Sequence, residues 1–243
     1  MLATTTAPRW LSVPRPVANP RARLICVPHA GGSASMFFAY PDDLPRDVEV
    51  CAVQLPGRGP RLSEPPFTRM EPLVESLAEA LAGMDDAPVA MFGHSLGALI
   101  AFELAHRLHT AHLFISGQAA PHLPRRRPAI HTRPSSAIIA ELRRLGGTPA
   151  VVLEDPELLE LMLPVVRADF AVCETYAYQH RDPLDCPITV LGGLQDTEAS
   201  PLELAAWRGY TTADFGLQLF EGDHFYVLSR RSSLVGTIAA AFS

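Results

Sequence analysis

Four short apolar runs punctuate the first half of the chain, at positions 23–27, 48–55, 89–92 and 112–116, and each reads as a β-strand. The first stops at Pro28 and the second at Pro56-Gly57. Helical spacing fills the gaps between them. Over 70–81, Leu73, Leu77 and Leu81 fall on one face of a helix, and 96–108 is a second helical stretch. Strands alternating with helices predict a mostly parallel sheet flanked by helices.

From 118 to 181 the strand pattern is lost. Positions 125–134 are polar and rich in Pro and Arg. A helix is predicted over 135–145, stopped by Gly146-Gly147. Asp155-Pro156 starts another, with an N-cap carboxylate followed by Pro at the first helical position. Leu159, Met162, Val166, Phe170 and Cys173 then form an apolar stripe, which Pro164 is expected to break or kink. Strands return at 188–192 and 217–220, with helices over 201–208 and 234–242. The expected organisation is one α/β domain over 1–243, with a helical lid insertion at 118–181 whose stripe, Val166 included, faces the core, the site, or both.

Composition narrows the function. The chain has 243 residues, 48% of them hydrophobic, enough for one domain with a sizeable core. Its net charge of −6 argues against nucleic acid as a partner. All twenty basic residues are Arg. The first twenty residues carry no apolar run of the secretory kind and read as a loose arm with Trp10 and Leu11 docked on the body. No stretch is long enough to span a membrane. Cys26, Cys51, Cys173 and Cys186 fit no metal-binding spacing and read as reduced thiols of a cytoplasmic protein. His106, His109 and His112 run off a helix end and read as surface residues, so no metal and no cofactor is expected.

The strongest chemical signal is Gly93-His94-Ser95-Leu96-Gly97, lying between an apolar run and a helix. It matches the G-x-S-x-G nucleophile elbow of the α/β-hydrolase fold, where a tight turn lifts the Ser hydroxyl above the sheet and only glycine fits two residues either side. Serine needs a base, and the base an orienting acid. In this fold the order is Ser, acid, His. Asp196 follows the strand at 188–192 and His224 follows the one at 217–220, so Ser95, Asp196 and His224 are the predicted catalytic residues. Asp223 neighbours His224, but adjacent side chains point apart, and Asp169 reads as a surface or lid residue. His94 reads as supporting. The oxyanion is expected to meet the backbone N–H groups of Leu96, after the nucleophile, and Ala30, in the small-residue loop after the first strand.

Several motifs carry a closer resemblance. Pro28-His29-Ala30-Gly31-Gly32-Ser33-Ala34, Gln54-Leu55-Pro56-Gly57-Arg58, the elbow itself, the stretch from Glu141 to Pro149, Leu163-Pro164-Val165-Val166-Arg167-Ala168-Asp169 and Gly222-Asp223-His224-Phe225 together span almost the whole chain. With them the chain resembles the type II thioesterases that accompany polyketide and nonribosomal peptide synthases. The resemblance implies a serine thioesterase that removes aberrant acyl groups from the phosphopantetheine arm of acyl or peptidyl carrier proteins. It departs from the family pattern at Thr197, where Pro is usual, and at Asp223, where Gly is common; the latter places a carboxylate near the base.

Two other functions fit the same residues. A small-molecule carboxylesterase or lipase would use the same triad, and a non-catalytic scaffold would not need one. Carrier proteins are typically acidic, so the carrier reading expects a positive rim from Arg125, Arg126, Arg127, Arg133, Arg143 and Arg144.

Overall fold

A computed structural model describes residues 7–242. The first six residues of the N-terminal arm lie outside that range. The arm's remainder enters as a short helix α1 (Ala7–Trp10) and strand β1 (Leu11–Ser12). There follow β2 (Ala22–Val27), β3 (Val48–Val53), α2 (Met70–Leu81), β4 (Val89–His94), α3 (Leu96–Ala105) and β5 (His112–Ser116). Three helices come next, α4 (Ser135–Leu145), α5 (Ala150–Glu154) and α6 (Pro156–Thr175). The chain closes with β6 (Ile188–Gly193), α7 (Pro201–Ala205), β7 (Phe215–Phe220), α8 (Tyr226–Ser229) and α9 (Arg231–Ala240).

The seven strands form one sheet in the order β1-β3-β2-β4-β5-β6-β7. All neighbours pair parallel except β1, which runs antiparallel along β3 with Leu11 opposite Val53. The order steps outward both ways from β2 and β4, so their carboxyl ends define the crevice where open α/β sheets bind ligands. The period of two sorts each strand between two cores. Ile25 and Val27 pack on one face with α2 and α3, while Leu24 and Cys26 pack on the other with α9. All ten residues of α3 are buried, and its sequence is apolar throughout except for Glu103, whose carboxylate is satisfied by Tyr176 and Arg181.

Most predicted elements appear within a few residues of their expected limits. The short elements α5 and β1 escaped the sequence reading, and Trp10 is buried against Phe67 as expected of a docked arm. Pro164 does not break the helix: α6 runs on through it for 20 residues. Pro164 is exposed and so is Glu160, whose carbonyl loses its helical donor, so water can replace that hydrogen bond.

Candidate active site

The turn from β4 into α3 places Ser95 at φ 54°, ψ −118°, a left-handed backbone that an L-residue adopts only under constraint. The constraint is visible around it. A Cβ on Gly93 would sit 2.0 Å from the Gly97 carbonyl oxygen, and one on Gly97 would sit 2.2 Å from that of Val27. Ser95 N–H donates to the Ser116 carbonyl at 2.8 Å, tying the turn to the end of β5. Ser95 Oγ makes no hydrogen bond among the described residues and opens into a cavity of about 380 Å³ that His224 and Ala30 also line.

His224 and Asp196 arrive on the loops after β7 and β6. Those loops are laced together: Gln195 N–H donates to the Gly222 carbonyl at 2.9 Å, and Gly222 N–H donates back to Gln195 Oε1 at 2.6 Å. A Cβ on Gly193 would lie 2.4 Å from the Asp223 carbonyl oxygen, so glycine there permits the approach. The result is a 2.9 Å hydrogen bond between His224 Nδ1 and Asp196 Oδ2, with the carboxylate fully buried. The other oxygen of Asp196 accepts from Glu198 N–H at 2.7 Å. With Nδ1–H held by the carboxylate, Nε2 is left as the basic nitrogen facing the cavity.

Leu96 is the first residue of α3, where a helix has N–H groups without intrahelical acceptors. Ala30 lies opposite, in the loop after β2. Its neighbour Gly31 is engaged: Gly31 N–H donates to Asp169 Oδ2 at 2.7 Å. Of the five residues expected to form the site, Ser95, His224 and Ala30 line one cavity, Asp196 stands behind His224 through their hydrogen bond, and Leu96 follows Ser95 at the start of α3.

Other residues settle differently from the expectation. Asp169 is buried, not a surface residue; it takes a two-pronged contact from Arg58, at 2.6 Å and 2.8 Å. Asp223 spends its carboxylate on the N–H of Phe225 at 2.9 Å. Val166 does not line the cavity; its Cγ2 packs against Gly31, and Leu142, Phe170 and Cys173 form that wall instead. His94 is buried behind the base, its ring centroid 4.9 Å from that of His224, with Nδ1 bonded to Ser116 Oγ at 2.9 Å. Burial, then the neighbouring imidazoles, hold His94 well below the usual histidine range, and burial pushes His29 down to about 4. Both therefore stay neutral, His94 beneath the site and His29 on the wall of the cavity.

The arginine rim is largely neutralised. Arg125 pairs with Glu174, Arg126 with Glu203, and both Arg127 and Arg144 with Glu198. The three histidines also part company. His106 packs edge-on against Phe102, His109 is exposed, and His112 bonds Thr189 Oγ1 at 2.8 Å. Sequence reading missed Arg58 as a partner of the site, although it ends a motif that carried the family resemblance.

Comparison with known proteins points one way. The family model described as thioesterase domain matches residues 22–242. Gramicidin S biosynthesis protein GrsT of Aneurinibacillus migulanus is 41% identical over 221 residues, covering 88% of this chain and 86% of that protein. Thioesterase PikA5 of Streptomyces venezuelae is 41% identical over 225 residues, covering 90% and 80%. Among solved structures, the type II thioesterase BorB from the borrelidin biosynthetic cluster superposes with a TM-score of 0.89 at 38% identity, covering 96% of this chain and 98% of that one.

Proposed function

The chain belongs to the thioesterase domain family, and we propose that Ser95, His224 and Asp196 are its catalytic triad, acting on acyl groups carried by the phosphopantetheine arm of a carrier protein. The enzyme is a hydrolase of thioesters, of the type II class that accompanies polyketide and nonribosomal peptide synthases. The observation that carries the triad is the Asp196–His224 hydrogen bond at the rim of the cavity into which Ser95 opens.

In this mechanism Ser95 Oγ attacks the thioester carbonyl as His224 Nε2 takes the hydroxyl proton. The carbonyl electron pair moves onto oxygen, which the N–H groups of Ala30 and Leu96 stabilise. Collapse breaks the C–S bond, and His224 returns the proton to the departing thiol. His224 then takes a proton from a water that attacks the acyl-serine carbonyl; collapse breaks the C–Oγ bond, and His224 returns the proton to Ser95 Oγ as the acid leaves. Asp196 keeps the imidazole in the productive tautomer and steadies its positive form. Segment 118–181 serves as the lid, and its apolar side, with Leu142, Leu145 and Phe170, accommodates the acyl chain.

A competition assay tests this reading. The same acyl group is offered at equal concentration on a carrier protein, on free phosphopantetheine and as a simple ester. Carrier-bound thioester is expected to be hydrolysed fastest. Equal turnover of all three would favour the small-molecule esterase. Because most of the arginine rim is internally paired, any preference for the carrier should depend only weakly on salt.

A further inference from the structure

Asp169 sits in α6, inside the inserted segment, yet its carboxylate is buried against two loops of the sheet body. Its Oδ2 accepts from Gly31 N–H at 2.7 Å and from Arg58 Nη1 at 2.6 Å, while Oδ1 accepts from Arg58 Nη2 at 2.8 Å. Arg58 Nη1 also donates to the Gly32 carbonyl at 3.0 Å. The loop after β2 is thus held on both sides of the Gly31 residue, by an acceptor for its N–H and a donor for the carbonyl of the next residue. The preceding turn of α6 adds shape to this grip. Val166 Cγ2 lies 3.0 Å from where a Cβ on Gly31 would stand, and Val165 Cγ2 lies 3.0 Å from the same point on Gly57. Both glycines have left-handed backbones, at φ 77° and 82°, so each loop presents bare backbone to the helix.

A buried ion pair is seldom worth its desolvation in stability alone, since apolar residues of equal volume often do as well or better. What it supplies is direction, because a guanidinium–carboxylate fork accepts one geometry. Here the geometry is that of the Ala30–Gly31 peptide, one residue from the N–H assigned to the oxyanion.

We infer that Asp169 and Arg58 are positioning residues for the second oxyanion donor, so that α6 must be seated before the Ala30 N–H is aimed. This rests on the triad and oxyanion assignment above. The inserted segment then does more than cover the acyl chain: it completes the catalytic apparatus of the body from outside.

The test replaces the pair by apolar residues, Arg58→Met with Asp169→Leu, so that packing is kept and the fork is lost. Gly31 N–H and the Gly32 carbonyl lose their partners as well, so the unfolding temperature is expected to fall by several degrees while the fold is kept. For an acyl thioester, kcat should fall about tenfold to a hundredfold, in the range of a misaimed donor, with KM within about twofold. Affinity for a trifluoromethyl ketone analogue, which forms the tetrahedral adduct, should fall by the same factor. A folded double variant with parental kcat overturns the inference. If the double variant does not fold, Arg58→Lys decides it: the charge remains but the fork does not, so kcat and analogue affinity should fall together, and unchanged values overturn the proposal. Ser95→Ala serves as the control. If it still turned over substrate or reacted with a serine-directed phosphonate, the assignment of the site would be at fault rather than the role of the pair.

Discussion

The sheet body and the inserted segment are held by different forces. The body has an apolar core on each face of the sheet, and its site residues stand on loops laced to the strand ends. The insertion has a small core of its own, built on Ile138, Leu142, Leu153 and Val166, and enters the body's core through Ala120 and Val172, with Cys173, Tyr176 and Tyr178 packed beside them. Charge does much of the work of joining it to the body: Arg58–Asp169, Arg126–Glu203, Arg127–Glu198, Arg144–Glu198, and Glu103 gripping Arg181 and Tyr176. These contacts are graded. Exposed pairs contribute roughly 0.2–1 kcal/mol each and are screened by salt, whereas the Asp169 fork is shielded from water. Apolar burial fixes the body without direction; the insertion adds to a narrower apolar contact, through Val165, Val166 and Val172 of α6, a set of charged contacts that fix direction at a few points.

The largest effect expected is catalytic and confined to the body. Ser95→Ala and His224→Ala should each lower turnover at least about a thousandfold, with an unchanged unfolding temperature, and Asp196→Asn somewhat less. The losses should not add, because the three act as one unit. If Asp196→Asn were neutral, the acid would have to be sought elsewhere.

Next in size is a separation of the two regions by pH. His29 is held neutral in the fold down to about 4, and His94 is held well below the usual histidine range, both chiefly by burial. Unfolded histidine takes up its proton near pH 6.5, so the unfolded chain binds more protons below that value. Body stability is therefore complete above about pH 6.5 and falls as the pH drops towards 4, by about 1.4 kcal/mol per pH unit for each proton. Glu174 and Glu198 of the insertion's contacts behave otherwise: their cations and N–H donors outweigh burial and hold them below the usual carboxylate range. Their contribution persists above about pH 4.5 and is lost only below it. Urea titrations followed by Trp fluorescence at pH 7, 5.5 and 4.5 should show the body weakening first. A flat profile from 7 to 5 would mean that the two imidazoles are not buried as neutral groups.

The smallest expected effect isolates the insertion. Glu174 accepts from Ile130 N–H, His131 N–H and His131 Nδ1, and pairs with Arg125. Glu174→Ala should release that strap at a local cost of about 1–3 kcal/mol. Trypsin should then cleave after Arg125 or Arg126 roughly tenfold faster while the body unfolds at nearly its parental temperature. A fall in both together would mean that the two regions unfold as one.

The two regions also differ in how far they can be read from sequence. The elbow is local: five residues between a strand and a helix state their geometry outright, and the loops bearing Asp196 and His224 follow from strand ends. Asp169 gives no such sign. Its partner is 111 residues away, and the pair exists only once α6 lies on the body. The arginine rim misled for the same reason, since Glu174, Glu198 and Glu203 are distant in sequence from the arginines they neutralise. Pro164 was read by its propensity, which solvent on that side of α6 overrides.

Glycine forms part of the body's side of the site. Side chains at positions 93, 97 or 117 would land between 2.0 and 2.7 Å from backbone or from His94, so those positions admit no variation. Across the cavity the insertion offers Leu142, Leu145 and Phe170, so side chains rather than backbone line the space proposed for the acyl group. Over evolutionary time, then, heritable differences in substrate choice have room to accumulate on that wall. A library confined to the insertion should yield new chain-length preferences, while one confined to the elbow should yield dead enzymes.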